Sequence, residues 1–453
     1  MKIITYFLLL ALFSLGSSAQ IITIPDAAFK NKLLAASTSN GIAKNSVGGS
    51  IKIDINNNSE IEVGEALSVS QLDVSTATNN TINDIYDLEG IQNFLNLKIL
   101  NCDGNQITSL NLNNLILLEN IHCGRNNISS LNINGLVNLK SLFCYYNSLT
   151  SLNVNGLTNL ETLFCQNNAI STLDLSGLNN IKYVLCNDNQ LTNFNIANVT
   201  SLSEIVCANN NLNSIDLSGL INLHYLNISN NNITSINLLP IASIIDYLDC
   251  SLNPISSINV TNFNLLTYLG MNSTLVSSIN CSQSGVTQLF CSDNPNLTSI
   301  NVKNNVGSTS DPDMLFFAFR FDNLPLLTSI CVDAGEENNL AYTNYNSSGN
   351  VIIYTGPTCS TVVTMKAAAF EFSNYFTLYP IPAQNTLTIY AKEPINIQSF
   401  AIYNNVGQVI QTVSNPNFNT SNAIDVSQLQ AGHYFIKIIT DKGKTTAKFI
   451  KIK

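Results

Sequence analysis

The stretch that decides the fold spans residues 97–117 and reads LKILNCDGNQITSLNLNNLIL. The same pattern returns every 21 residues, with apolar residues at fixed positions, a cysteine near the middle and an asparagine three residues later. The repeating unit is L-x-x-L-x-C-x-x-N-x-I-x-x-L-x-L-x-x-L. The cysteine column contains Cys102, Cys123, Cys144, Cys165, Cys186 and Cys207.

This repeat predicts a mostly β solenoid. The alternation around Leu100 and Cys102 is typical of a short strand, because successive side chains of a strand point to opposite faces. One coil cannot bury its own apolar residues, whereas stacked coils can, so we expect a parallel strand ladder along one face. The asparagine of each coil is expected to turn the chain and to offer its amide to the backbone of the neighbouring coil.

These repeats resemble the leucine-rich repeat family, in particular the short-repeat bacterial type with a cysteine ladder, as in internalin-like surface proteins. The resemblance covers residues 72–332, where one template fits about ten consecutive coils. It implies a leucine-rich repeat horseshoe with repeats of about 21 residues.

The ladder cysteines are expected to remain reduced. Neighbouring parallel strands lie about 4.8 Å apart, whereas the Cβ atoms of a disulfide are about 3.8 Å apart and converge. Ile228 and Met271 stand in the same column, so the position requires modest apolar volume. The alternative is a metal or redox ladder, but no histidine or carboxylate interleaves at ligand spacing.

The N-terminal residues predict export. Residues 1–19 contain a lysine, a short apolar run and a stretch of small residues, as a secretory signal peptide does. No later window has 18 unbroken apolar residues, so no transmembrane segment is expected. The net charge of -10 argues against a nucleic-acid partner, since such a partner would require a basic face.

Residues 20–71 are predicted to form an N-terminal cap, with a helix near residues 26–36 and a candidate calcium loop in the stretch IKIDINNNSEIEVGEAL at 51–67. Hard oxygen ligands at alternating positions, closed by a glutamate, are what Ca²⁺ requires, which makes calcium the candidate cofactor. The alternative is a solvated turn, because Ser59 stands where glycine normally makes the sharp bend, and because 51–53 resembles a strand. The ligands predicted at loop positions 1, 3, 5, 7 and 12 are Asp54, Asn56, Asn58, Glu60 and Glu65.

Two cysteines, Cys331 and Cys359, lie in sequence that does not follow the repeat. Repeat arrays close their exposed core ends with atypical caps, so we predict a C-terminal cap at residues 333–359 that is pinned by a disulfide between these cysteines. Residues 360–375 are predicted to be a linker.

From residue 376 onward, strands alternate with turn signals, which predicts a separate small Ig-like β-sandwich at 376–453. Its blocks LYPIPAQNTLTI, IYNNVGQVI, IDVSQLQAGHYFIKI and KFIKIK resemble the C-terminal sorting domain of type IX secretion, found in the Bacteroidetes. One departure is Ile381, where the pattern usually has asparagine. The resemblance implies passage through the periplasm, export across the outer membrane by the type IX secretion machinery, and removal of the domain at the cell surface. The alternative is an ordinary Ig-like adhesive domain.

Catalysis is not expected, because catalytic groups must meet in space. His122 and His224 are five coils apart, about 24 Å at one strand spacing per coil, and His433 lies in the removable domain.

The side chains that flank the inward residues of each strand should point outward. They include many aromatic residues, and exposed apolar patches often mark partner surfaces. We therefore expect the concave face to bind a macromolecular partner, a protein or a glycan, at the cell surface or in the medium. The alternative is a structural surface-layer or matrix component without a specific ligand, whose aromatics only cover the strands. The candidate ligand-binding residues are Phe143, Tyr145, Phe164, Tyr183, Tyr225, Tyr247, Tyr268 and Phe290.

Overall fold

The computed structural model describes residues 20–76, 84–306, 319–334, 336, 340, 351–355, 359, 361–363, 372–392, 394–405, 407–414, 420–440 and 444–452. The predicted signal peptide at 1–19 lies outside the described residues, as do most of the predicted C-terminal cap and linker. The chain forms two compact units, the first ending at Leu266 and the second beginning at Thr267.

The first unit begins with a helix that Asp26 caps by accepting a hydrogen bond from the Phe29 amide at 2.9 Å. Short 3-10 turns follow at Ile91–Asn93 and Leu239–Ile241. The helices and strands of this unit are α1 (Ala27–Leu34), β1 (Ala43–Lys44), α2 (Val63–Ala66), β2 (Gln71–Asp73), β3 (Ile99–Asn101), β4 (Ser109–Asn111), β5 (Asn120–His122), β6 (Ser130–Asn132), β7 (Ser141–Phe143), β8 (Thr162–Phe164), β9 (Thr172–Asp174), β10 (Tyr183–Leu185), β11 (Asn193–Asn195), β12 (Glu204–Val206), β13 (Tyr225–Asn227) and β14 (Tyr247–Asp249).

One strand per coil joins a parallel ladder on one side of the first unit. The order is β2-β3-β5-β7-β8-β10-β12-β13-β14, with β1 antiparallel at the end beside β2. Each residue pairs with its counterpart one repeat away, so that Leu142, Leu163 and Val184 lie side by side. These central residues are fully buried, which confirms the predicted strand ladder and its inward face.

The asparagine of each coil forms the predicted bridge between coils. In Asn126, the side-chain NH₂ donates to the Cys102 carbonyl at 3.0 Å and to the Cys123 carbonyl at 3.2 Å. Its Oδ1 accepts from the Ile107 amide at 3.0 Å. We call the residues that repeat this pattern the asparagine ladder: Asn105, Asn126, Asn147, Asn168, Asn189, Asn210, Asn231, Asn253 and, in the second unit, Asn294.

The ladder cysteines are buried and carry free thiols, as expected. Burial raises the pKa of Cys165 and of Cys207 to about 12. Because the thiolate is the reactive species, these residues behave as small apolar side chains that fill the space beneath the strands.

A second, shorter set of strands lies on another side of the coils, and the sequence analysis did not anticipate it. β4 pairs with β6, and β9 pairs with β11, both in parallel. Only the central residue of each triplet points inward, as Leu173 does in β9, while its neighbours are exposed. Some coils of the first unit therefore carry backbone pairing on two sides.

The second unit continues the repeat and then changes to antiparallel sheets. Its elements are β15 (Tyr268–Gly270), β16 (Ser278–Asn280), β17 (Gln288–Phe290), β18 (Ser299–Asn301), β19 (Phe319–Arg320), β20 (Ser329–Cys331), β21 (Ile352–Thr355), β22 (Thr361–Val363), α3 (Phe372–Tyr375), β23 (Phe376–Tyr379), β24 (Thr386–Ala391), β25 (Ile397–Asn404), β26 (Val409–Ser414), β27 (Ser421–Asp425), β28 (Gly432–Thr440) and β29 (Lys444–Lys451).

Within this unit, the repeat strands again form two parallel sets, β15-β17-β19 and β16-β18-β20-β21. The Cys331 and Cys359 sulfur atoms are joined by a disulfide, with Cα atoms 5.7 Å apart. The C-terminal strands form two antiparallel sheets, β23-β24-β27 and β26-β25-β28-β29. Both sheets contribute to one core, with Leu387 from the first and Ile436 from the second, which confirms the small β-sandwich.

The asparagine ladder yields a test of what holds the coils together. Asn210 is buried, and its side chain accepts from the Leu191 amide and donates to the Cys186 and Cys207 carbonyls. The side chain of its exposed neighbour Asn209 bonds the side chains of Asp188 and Asn230 instead. Replacing Asn210 by alanine should lower the free energy of unfolding by about 3 kcal/mol or more, because buried backbone groups lose their partners. Urea denaturation measures this change.

The matched control is Asn209→Gly. Asn209 has φ 55°, a conformation that glycine adopts without strain, so this change should cost less than about 1 kcal/mol. Equal losses for the two variants would mean that the buried bridges do not dominate the stability of the stack.

Candidate functional site

The outward side of the parallel ladder in the first unit is the main candidate surface, and we call it the strand face. In each strand the first and third residues point outward around a buried central residue, as Thr162 and Phe164 do around Leu163. Side chains at equivalent positions therefore form rows that run from coil to coil. Parallel strands place the members of a row about 4.8 Å apart.

The third position of the strands forms an apolar strip, which we define as Phe143, Phe164, Leu185 and Val206. These residues lie on the consecutive strands β7, β8, β10 and β12 and all four are half-buried. His122 stacks on Phe143 with ring centroids 4.4 Å apart, and Phe143 meets Phe164 edge to face at 5.0 Å. The strip is thus a continuous apolar surface that remains partly open to solvent.

The first position of the strands carries the predicted tyrosines. Tyr183 is 42% exposed, and Tyr225 stacks on Tyr247 with ring centroids 4.0 Å apart and planes 6° apart. The stacked pair begins three strands beyond Phe164, about 14 Å along the ladder. In the second unit, Tyr268 stacks on Phe290 at 5.2 Å.

Tyr145 belongs to the next row, just past the strands, and is held by specific contacts. Its hydroxyl donates to Asp103 Oδ2 at 3.1 Å, and the Arg125 guanidinium lies 5.5 Å from its ring centroid. The ring lies over Gly124, where a Cβ atom would come within 2.8 Å of it. Burial raises the pKa of the Asp103 carboxyl. Tyr145 is therefore fixed at the edge of the strand face.

A row of alternating charges precedes the strands, and sequence reasoning missed it. Lys98 and Lys140 lie 3.3 Å and 2.7 Å from the carboxylate of Glu119, and Lys182 lies 2.9 Å from Glu161. We call these five residues the charge row. The alternation of lysine and glutamate at intervals of 21 residues is visible in the sequence.

The charge balance changes beyond Lys182. Glu204 and Asp249 stand on the strand face at the outward positions of β12 and β14. Among the described residues, no lysine, arginine or histidine forms an ion pair with either carboxylate. The glutamates of the charge row are thus neutralised by lysines, while Glu204 and Asp249 present negative charge without a paired lysine, arginine or histidine among the described residues.

The predicted calcium loop curls around its own oxygen atoms. Asp54 Oδ1 accepts from the Asn58 amide at 3.1 Å, and Asn58 Oδ1 accepts from the Glu60 amide at 2.8 Å. Ser59 has φ 66°, so it adopts the left-handed conformation for which glycine is usual at the sixth position. Residues 51–53, which the sequence suggested as a strand, are not a strand in the structure.

The acidic residues of this loop are arranged differently from the prediction. The Glu60 carboxylate pairs with Lys30 at 2.6 Å, so Glu60 would offer its backbone carbonyl, the group that the seventh position of an EF-hand loop supplies. Glu62, which the sequence analysis passed over, is only 3% exposed. It accepts hydrogen bonds from the side-chain NH₂ groups of Asn56 and Asn58 at 3.2 Å and 2.6 Å.

Glu65 closes the loop from α2. Its Oε1 accepts from the Ile55 amide at 2.8 Å, and burial, with a hydrogen bond to Glu62, raises the pKa of its carboxyl. Among the described residues, no three His, Cys, Asp or Glu side chains form a metal-binding group by themselves, so calcium here would also need amide oxygens from Asn56 and Asn58. This mixed set of hard oxygen donors fits Ca²⁺. We propose that the loop is a weak calcium site with a dissociation constant on the order of 10⁻⁴ to 10⁻³ M.

The proposed calcium site predicts a change in melting temperature. Millimolar calcium should raise the melting temperature of the native protein, because a ligand that binds only the folded state stabilises it. The rise should shrink as the pH falls through the elevated pKa of Glu65, since the proton on that carboxyl competes with the ion. Glu65→Gln mimics the protonated acid, so it should abolish the calcium effect without lowering the melting temperature in chelator.

Glu60→Gln is the control for this experiment. Because the Glu60 side chain faces Lys30, this substitution should leave the calcium effect intact. A native protein whose melting is indifferent to calcium would establish the solvated-turn alternative.

Comparison with known proteins identifies the C-terminal domain. The family of secretion system C-terminal sorting domains matches residues 377–453. This match indicates export through type IX secretion to the cell surface or the medium, and it implies recognition of the domain by the type IX machinery. No described helix has the length and apolar character needed to cross a membrane.

Solved structures similar to the chain include internalins and a leucine-rich repeat protein. The functional domain of InlJ from Listeria monocytogenes, which includes a cysteine ladder, is 18% identical, with a TM-score of 0.44, over 96% of this chain and 100% of that chain. An internalin from the same organism is 22% identical, with a TM-score of 0.45, over 72% and 96%. A leucine-rich repeat protein of Leptospira interrogans is 17% identical, with a TM-score of 0.42, over 65% and 87%. No curated protein matches the sequence.

The sorting domain predicts the fate of a truncated chain. The buried residues of its core lie at 376 and beyond, with Phe372 and Tyr375 packed against them. Deletion of residues 376–453 should therefore leave the repeats folded but remove the export address. The truncated protein should accumulate in the periplasm, as cell fractionation with an antibody to the repeats would measure. Circular dichroism of the truncated chain checks that it folds, and its normal delivery to the surface would contradict the prediction.

Proposed function

We propose that this chain is an exported leucine-rich repeat protein that binds a macromolecular partner, a protein or a glycan, through the strand face. The observation that carries the proposal is the apolar strip. Four consecutive strands of the ladder present Phe143, Phe164, Leu185 and Val206 outward. A surface that faced only solvent would not need apolar residues there, and exposed apolar patches mark interaction sites.

The composition of the surface around the strip also supports a binding role. Tyrosines stand among asparagines, serines and threonines, a mixture that offers large rigid contacts together with adaptable hydrogen bonds. Tyr183 in particular projects outward beside the strip, with Thr162 and Glu204 as its lateral neighbours. This surface, on an exported chain, supports an adhesive role at the cell surface.

A structural role without a specific ligand is the second candidate. It is favoured by the way the aromatic rings contact one another, as in the pairs His122 with Phe143 and Tyr225 with Tyr247. Such contacts stabilise neighbouring strands whether or not a partner is present. The family that matches residues 377–453 is a secretion sorting domain, and we propose that the chain has no catalytic activity.

Substitution within the apolar strip tests the binding role. The labelled protein would be screened on glycan and protein arrays, and the affinity for each hit measured. Phe164→Ala should weaken binding by about tenfold or more, as removal of an aromatic anchor does, while it changes the free energy of unfolding by about 1 kcal/mol or less.

The control is Ile221→Ala, which shortens an apolar side chain that is 63% exposed outside the strand ladder. Hits whose affinity Phe164→Ala leaves unchanged would place binding elsewhere on the molecule. An absence of any hit would favour the structural role.

A further inference from the structure

We propose that the partner of the strand face is a polypeptide that places an arginine against Glu204 and Tyr225 and an apolar side chain on the adjoining apolar strip. This inference rests on the proposed binding function, to which it adds the chemistry of the partner.

The first argument is the charge balance of the strand face. Near this surface, Glu119 and Glu161 have lysine partners within 2.7–3.3 Å, while Asp103 accepts a hydrogen bond from the Tyr145 hydroxyl. Glu204 and Asp249 have no such partner among the described residues. A partner that covers them without supplying positive charge would leave buried anions uncompensated, which strongly disfavours binding. The complementary partner is therefore cationic at this place.

The second argument is the orientation of the Tyr225 ring. One face of this ring is stacked on Tyr247 with nearly parallel planes, so its other face is directed back along the row. The residue at that place in the row is Glu204, whose backbone pairs with that of Tyr225. Burial raises the pKa of the Tyr225 hydroxyl, and the negative charges of Glu204 and Asp249 add to the rise. An aromatic face and a carboxylate thus occur side by side.

An arginine suits this pair better than other cations do. The guanidinium group is planar, stacks on aromatic rings and donates two parallel hydrogen bonds to a carboxylate. A lysine ammonium is a compact, strongly hydrated point charge that uses only part of this geometry. A metal ion would require further ligands, and the described residues hold no metal-binding group of acidic side chains here.

The apolar strip indicates that the cation belongs to a polypeptide. Glu204 and Val206 are the first and third residues of β12, so their side chains point to the same side, about 7 Å apart along the strand. Leu185 lies beside Val206 on β10. An extended segment with an arginine and an apolar residue two positions apart matches this spacing, because side chains two residues apart in a strand also share one side.

Peptide binding tests this chemistry directly. The probe is a fluorescein-labelled twelve-residue peptide in which Arg-Ser-Leu-Ser is repeated three times, and its binding to the full chain is followed by fluorescence anisotropy. A second peptide carries citrulline, a neutral isostere, in place of each arginine. We expect the arginine peptide to bind at least about tenfold more tightly than the citrulline peptide.

Glu204→Gln should remove most of that difference, because the variant loses the charge and keeps the shape. Phe164→Ala should weaken both peptides. Replacing each arginine of the peptide by lysine should lower its affinity several-fold for the native protein. The loss should be much smaller for Tyr225→Leu, because this variant lacks the ring on which the guanidinium would stack. Melting temperatures of the variants verify that they are folded.

The control variants are Glu161→Gln and Asp216→Asn, which change the net charge by the same amount. Glu161 is paired in the charge row, and Asp216 is exposed outside the strand ladder. If either variant weakens the arginine peptide as much as Glu204→Gln does, the attraction comes only from the net charge of -10 and the inference is wrong. Equal binding of the arginine and citrulline peptides would also overturn it.

The array experiment separates failure of this inference from failure of the proposed function. If the protein does not bind the arginine peptide but binds an array component in a way that Phe164→Ala weakens, its strand-face partner has a different chemistry. A chain that does neither lacks both the partner class and the binding role.

Discussion

The buried asparagine side chain that bridges successive coils is the interaction on which the rest of the structure depends. A strand-and-turn coil of 21 residues leaves backbone groups at its turn that point into the stack, where water does not reach them. The asparagine amide, with two donors on nitrogen and two acceptor sites on oxygen, bonds carbonyls of its own coil and the preceding one, and an amide of the preceding coil. Aspartate, threonine or leucine cannot satisfy all of these groups.

This bridge fixes the register of each coil on the next, and the register determines what every other residue does. With Asn168 seated, Cys165 three residues earlier lies inside the stack and bonds through its carbonyl, while Phe164 is turned outward. The rows of the strand face are therefore a consequence of the buried hydrogen bonds. Substitutions on the outward rows leave these bonds intact, so the surface can change its chemistry without changing the fold.

Most of the fold followed from periodicity, because each inward position is repeated in many coils and single exceptions such as Met271 do not obscure the pattern. The sorting domain followed from local motifs. The features that sequence reasoning missed depend on lateral neighbours or on side-chain direction. The charge row needs residues 21 positions apart to touch, and the Glu60 carboxylate turns away from the proposed calcium loop because Lys30, which is 30 residues away in the sequence, pairs with it. The sequence also could not show that Glu204 has no paired cation among the described residues, because this depends on which side chains lie beside it in the fold.

The sign of the charge in the charge row changes from each coil to the next. Lys98, Glu119, Lys140, Glu161 and Lys182 alternate in sign, so removal of a single coil would set two like charges side by side, whereas removal of two coils would preserve the alternation. Each exposed lysine–glutamate pair contributes only about 0.2–1 kcal/mol to stability, but such a pair can form between every two neighbouring coils of the charge row. In this part of the array, the natural step for lengthening or shortening the protein is therefore two coils, or 42 residues, rather than one repeat of 21.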